Sequence, residues 1–169
     1  QKYGIHATWA TVGFLFARDY DELKAYFPEE TSLPTYRDPA LTPYPLFETI
    51  GRNEEEAPCF YGASLVKLVS EAPGQEIGSH TFCHYYCREK GQTVEQFAAD
   101  MAAAKKIAAD HGYDVTSVIL PRNQCEPEYT KILTEFGFRT YRDEENDWIH
   151  EKVKCRPLMR ILRLADVYL

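Results

Sequence analysis

No stretch of this sequence approaches the roughly 20 apolar residues that a helix needs to cross a bilayer, so no membrane span is expected. Positive charge is scarce: 19 Lys and Arg stand against 26 Asp and Glu, a formal charge of -7. No basic stripe offsets that excess, and repulsion from a phosphate backbone leaves no nucleic-acid partner expected. The five cysteines (Cys59, Cys83, Cys87, Cys125, Cys155) are odd in number and irregular in spacing, which argues against a disulfide scaffold. Reduced thiols in a cytoplasm are the simpler reading. The sequence also lacks G-x-G-x-x-G, a Walker-type loop, G-x-S-x-G and C-x-x-C. With no internal repeat, low-complexity segment or linker, it reads as one domain over residues 1–169.

What is present suits a sizeable core: 44% of the residues are hydrophobic, and twelve Tyr and nine Phe supply bulk. The chain begins with Gln1 rather than Met and runs at once into an apolar stretch, so its start reads as cut or processed. Residues 5–16 predict a buried strand leading into a loop, and residues 19–27 a short helix. Six of the ten prolines fall between Pro28 and Pro58, which predicts a long irregular insertion at about residues 28–60, functional or mobile. A helix is expected over 64–70 from the spacing of Leu65, Leu68 and Val69, ended by Pro73-Gly74.

Residues 76–82 predict a strand. The clearest helix spans 94–111, where Thr93 and Gln96 form a capping box, Phe97, Met101, Ala104 and Ala108 share one face, and Gly112 suits a C-terminal cap. A β-branched strand over 115–120, a helix over 128–136 stopped by Gly137 and a strand over 138–141 complete the pattern. Strands separated by helices imply βαβ units in an α/β fold with parallel strands. In such folds chemistry gathers at the carboxyl ends of strands. That rule selects residues 79–87, 121–125 and 143–150.

His80 and His84 are separated by three residues just after a strand. If the chain turns as a helix there, both imidazoles face one side, which suits a divalent ion such as Zn taking neutral imidazole at about 2.0 to 2.1 Å. The spacing alone describes two polar loop residues equally well; the strand-end position favours the metal. Cys83 and Cys87 would share that helical stripe, but four ligands on one stripe cannot surround an ion tetrahedrally, so the thiols are read as packing residues. Arg122, after the third strand, either orients a carboxylate through a bidentate contact or lies at the surface beside a turn. Trp148, next to Asp147, either lines a sugar-stacking groove or caps the core. His6, Trp9, His111 and His150 are read as structural.

In this order the pieces resemble the polysaccharide deacetylases of carbohydrate esterase family 4. Lys2 to Thr8 resembles the segment entering the family's second strand, and Gln75 to His84, with its E-I-G-S-H-T-x-x-H string, resembles the metal motif. Leu120-Pro121-Arg122 stands where the family has Arg-Pro-Pro-Tyr, and Asp147-Trp148 resembles its groove-lining Asp-Trp pair. The resemblance implies a distorted (β/α) barrel with fewer strands than the regular eight, incomplete in this chain. It implies a metal-dependent hydrolase that removes acetyl groups, usually N-acetyl, from the sugars of a polymer. The variant third motif points to bacterial surface polysaccharide or lipopolysaccharide as the partner.

Carried onto this chain, the family pattern makes His80 and His84 ligands to Zn or another divalent ion such as Co or Ni. Arg122 would orient the base carboxylate, Asp147 would tune the acid His, Trp148 would wall the sugar groove, and the backbone N–H of Cys125 would contact an oxyanion. The family's Asp-Asp pair and acid His have no counterpart here, since the first Asp is Asp19. These 169 residues alone are therefore expected to be inactive. Two alternatives stand beside this reading: a non-catalytic carbohydrate-binding or scaffold relative of the same fold, and another metal hydrolase such as a phosphoesterase.

Overall fold

Four short strands alternate with helices in the computed structural model, which describes residues 4–142. They are β1 (Ala7–Thr11), β2 (Gln75–Ser79), β3 (Ser117–Ile119) and β4 (Thr140–Arg142). All pair in parallel in the order β1-β2-β3-β4. Helices α1 (Tyr20–Lys24) and α2 (Ala63–Ser70) lie between β1 and β2; α3 (Val94–Asp110) and α4 (Pro127–Glu135) form the next two crossovers. The α/β class with parallel strands is as expected. Among the described residues β1 and β4 each pair on one side only, so the sheet they form is open. Among the same residues no helix is long and apolar enough to cross a membrane.

Helix α3 matches its sequence pattern closely. Thr93 and Gln96 cap each other's backbone reciprocally, Phe97, Met101, Ala104 and Ala108 are buried, and Gly112 takes a positive φ just past the end. The strand expected over 5–16 stops at Thr11. Residues Gly13–Phe16 instead turn as a 3-10 helix that buries Phe14 and Phe16. Gly13 is needed there, because a Cβ would come within 2.5 Å of the Phe82 ring.

Two features of the packing go beyond what the sequence pattern specifies. Helix α2 forms where the spacing of Leu65, Leu68 and Val69 predicts it, with Val66 as its buried residue and Leu65 and Leu68 56% and 66% exposed. Helical spacing marks an apolar stripe, but which edge of it meets the sheet is fixed by the neighbours. The proline-rich segment is irregular as expected, with 3-10 turns at Glu30–Ser32, Pro39–Leu41 and Tyr44–Glu48. It also contributes to the core. Phe47 is fully buried and packs edge-on against Phe14 at 4.6 Å, while Tyr44 packs against Phe27 at 4.8 Å.

The segment also reaches the chain between β2 and α3. Thr35 Oγ1 donates to the Gly91 carbonyl at 2.6 Å and the Arg37 N–H to the Lys90 carbonyl at 2.7 Å. Its middle residues are thereby stitched to that connection. The two predicted metal-ligand histidines lie at its start.

Candidate functional site

The loop after β2 brings His80 and His84 together without forming a helix. Their ring centroids are 4.7 Å apart with planes at 65°. The turn is made by Thr81 and His84, which adopt φ of 66° and 59°. The expected one-turn helical spacing is thus replaced by two left-handed residues that fold the second imidazole back toward the first. Arg122 and Asn123, in the loop after β3, have φ of 58° and 52°. Among the described residues, these four are all the non-glycine positions with positive φ. Left-handed backbone at residues with a Cβ is costly, and such strain gathers where function requires a particular shape. Here it is confined to the carboxyl ends of two adjacent parallel strands, where this architecture places its chemistry.

The tautomer of one imidazole and the charge of both follow from their surroundings. His80 Nδ1 lies 2.6 Å from the carbonyl oxygen of Ile119. A carbonyl only accepts, so Nδ1 carries the proton and Nε2 keeps its lone pair. Burial holds both histidines below their ordinary pKa; for His84 the neighbouring His80 adds to the effect, and for His80 the Ile119 carbonyl opposes it. Both rings are therefore neutral near pH 7, the form a cation binds.

Backbone N–H groups along this loop are satisfied from several directions. His80 donates to the Thr11 carbonyl at 2.8 Å, continuing the β1-β2 ladder. Thr81 donates to Ser79 Oγ at 3.1 Å, and Tyr85 to Thr81 Oγ1 at 2.7 Å. Phe82 and Cys83 both donate to the carboxylate of Asp100, at 2.7 and 3.0 Å. Tyr86 donates to the hydroxyl oxygen of Tyr36 at 2.8 Å. The loop is thus fixed by β1, by its own side chains, by α3 and by the proline-rich segment.

Arg122 approaches this loop through aromatic stacking. Its guanidinium lies 4.3 Å from the Tyr86 ring centre, and Tyr86 in turn packs edge-on against His84 at 5.1 Å. Its Nη1 donates to Glu89 Oε1 at 2.6 Å. The carboxylate that Arg122 meets in the described residues is therefore Glu89. Cys125 is buried beside the same loop exit; its carbonyl accepts from Arg88 at 3.2 Å and its thiol donates to the Glu126 carbonyl at 3.4 Å. Cys83 and Cys87 are buried packing residues, as read from the sequence. Asp147, Trp148 and His150 lie outside the described residues.

His80 and His84 fit a divalent cation as two ligands: neutral, adjacent, and with the His80 tautomer fixed. Among the described residues no group of three or more His, Cys, Asp or Glu side chains is arranged to hold a metal. No protein-family model, curated protein or solved structure matches the chain.

The sequence reading missed Asp100, Tyr36, Tyr86 and Glu89. A signal existed for Asp100 alone. It is a charged residue on the apolar stripe of α3, three positions after Phe97 and four before Ala104, and a charge there needs buried partners. The other three are contributed by irregular segments that carry no periodicity.

Proposed function

We propose that this chain belongs to a metal-dependent deacetylase acting on an acetylated sugar of a bacterial surface polysaccharide or lipopolysaccharide, built on a (β/α) barrel of which the four-stranded parallel sheet is part. The observation that carries the reading is the pairing of two neutral imidazoles at the carboxyl end of β2, with His80 Nδ1 anchored on Ile119. His80 and His84 would hold the cation. A divalent ion there supplies Lewis acidity toward an acetyl carbonyl. Arg122, half-exposed and stacked on Tyr86, presents its remaining N–H donors beside the pair, where they suit a carboxylate or a sugar oxygen. Tyr86 gives the site an aromatic wall.

Acetate release from acetylated glycans tests this. Release by the intact catalytic protein that needs Zn or Co and stops with a chelator supports the reading, and release that ignores the chelator rejects it. The engagement of Arg122 by Glu89 favours a second reading, a non-catalytic carbohydrate-binding relative. That relative would bind glycan without releasing acetate under any metal.

A further inference from the structure

The two histidines lie on a strained loop, so something must hold His84 against His80. Among the described residues, Asp100 is the acidic side chain placed for this. It projects from the middle of α3, is 1% exposed, and lies beneath the loop. Its two carboxylate oxygens divide their work: Oδ2 accepts the Phe82 N–H at 2.7 Å and Oδ1 the Cys83 N–H at 3.0 Å. Those two amides are consecutive and stand between the left-handed residues Thr81 and His84. Two N–H groups converging on one carboxylate fix the orientation of both peptide planes, and hence the direction in which the chain enters His84. Charge-assisted bonds from a buried carboxylate are strong enough to hold such a turn.

A buried carboxylate that meets no cationic side chain among the described residues is an expensive choice for mere packing. Its neighbours are the Cys83 thiol and, beyond it, the Tyr44 hydroxyl. Neither neutralises it. An apolar residue would fill the volume at lower cost but would leave two loop N–H groups without acceptors. The geometry points to Asp100 as a positioning residue that sets the His80–His84 ring pair by clamping the Phe82 and Cys83 amides. Its link to cation binding rests on the metal reading proposed above; its control of the ring geometry does not.

The test compares Asp100→Asn, which retains one acceptor oxygen and replaces the other by an N–H donor, with Ile107→Val, which trims the same helix away from the loop. In metal-free protein, NMR reads the proton–proton cross-peaks between the His80 and His84 rings and the slow amide exchange of Phe82 and Cys83. Zinc affinity is read by calorimetry with the ion alone. In Asp100→Asn the cross-peaks and the exchange protection are expected to vanish, and zinc to bind about 10- to 100-fold more weakly, the range for groups that support metal ligands from outside. Ile107→Val should leave all three unchanged. If Asp100→Asn does not fold, Asp100→Glu takes its place, with the longer arm expected to displace the loop and weaken zinc in the same way. Cross-peaks that vanish on substitution in a protein whose parent form binds no zinc at all would support Asp100 and reject the metal reading. Cross-peaks that persist in the variant would overturn the proposal, and where the parent binds zinc, equally tight binding by the variant would overturn the link from Asp100 to the cation.

Discussion

The hydroxyl of Tyr36 accepts the backbone N–H of Tyr86 at 2.8 Å, across fifty residues of sequence. The ring of Tyr36 packs against those of Tyr85 and Tyr86, at 5.8 and 6.0 Å, which seats it on the same turn. The proline-rich segment is thereby a wall of the candidate site as well as a part of the core.

Removing that one oxygen tests the wall. Tyr36→Phe keeps the ring and strips the acceptor, leaving the Tyr86 N–H without its partner. A loss of about 1 to 3 kcal/mol in denaturant-determined stability is expected, with faster amide exchange at Tyr86. Unchanged exchange there would show that the contact does not hold the turn.

Gly13→Ala is expected to destabilise by about 1 to 3 kcal/mol, the usual range for overpacking. A Cβ would meet the Phe82 ring at 2.5 Å and the Phe82 backbone at 2.9 Å, and backbone yields less readily than a flexible side chain. Phe82 lies between the histidines, so the same variant should also broaden the His84 ring signals. A denaturation midpoint equal to that of the parent would contradict the close approach.

Helix α2 offers a paired test. Val66→Ala removes buried methyl groups and should cost about 2 kcal/mol, whereas Leu68→Gln, on the exposed side, should change stability by less than about 0.5 kcal/mol. Urea unfolding of both variants separates the buried side of the helix from the exposed one. A larger loss from Leu68→Gln would contradict this orientation of the helix.

The pH dependence of stability carries a mark of Asp100. Burial pushes its carboxyl up from 3.8 to about 6, against the lowering effect of the Cys83 and Phe82 contacts. The folded state then keeps a proton that the unfolded chain releases between about pH 4 and 6. Stability from this group is fully present below the unfolded value and falls as pH rises through that window, by on the order of 3 kcal/mol. Asp100→Asn should flatten that part of the profile. An Asp100→Asn profile with the same slope as the parent between pH 4 and 6 would oppose the assignment.

Helix α3 was legible in the sequence because its signals are local: a capping box, an apolar stripe and a terminal glycine follow one another along a single helix. The His80–His84 spacing was legible as well, since the end of a strand is a place to look for chemistry. How the two rings meet was not. The left-handed conformations of Thr81 and His84 depend on acceptors at Asp100 and Thr81; the α3 stripe marks Asp100 as a charge in need of partners but does not say that those partners are backbone amides seventeen residues away. Which side of α2 is buried was not legible for a related reason: Leu65 and Val66 are both apolar, and only tertiary neighbours choose between them.

Loop closure gives the clamp on the histidine turn a kinetic side. The turn takes its acceptors from α3, seventeen and eighteen residues along, and from Tyr36, fifty residues back. Contacts spaced so far apart in sequence form after local helices and hairpin-like turns, because each must first meet a closure cost. During refolding, helical signal should therefore recover before the imidazoles come to face each other. A probe that senses the histidine pair would time the arrival of the native state itself, and a chain trapped with α3 formed but undocked would look folded by helicity while presenting no paired site.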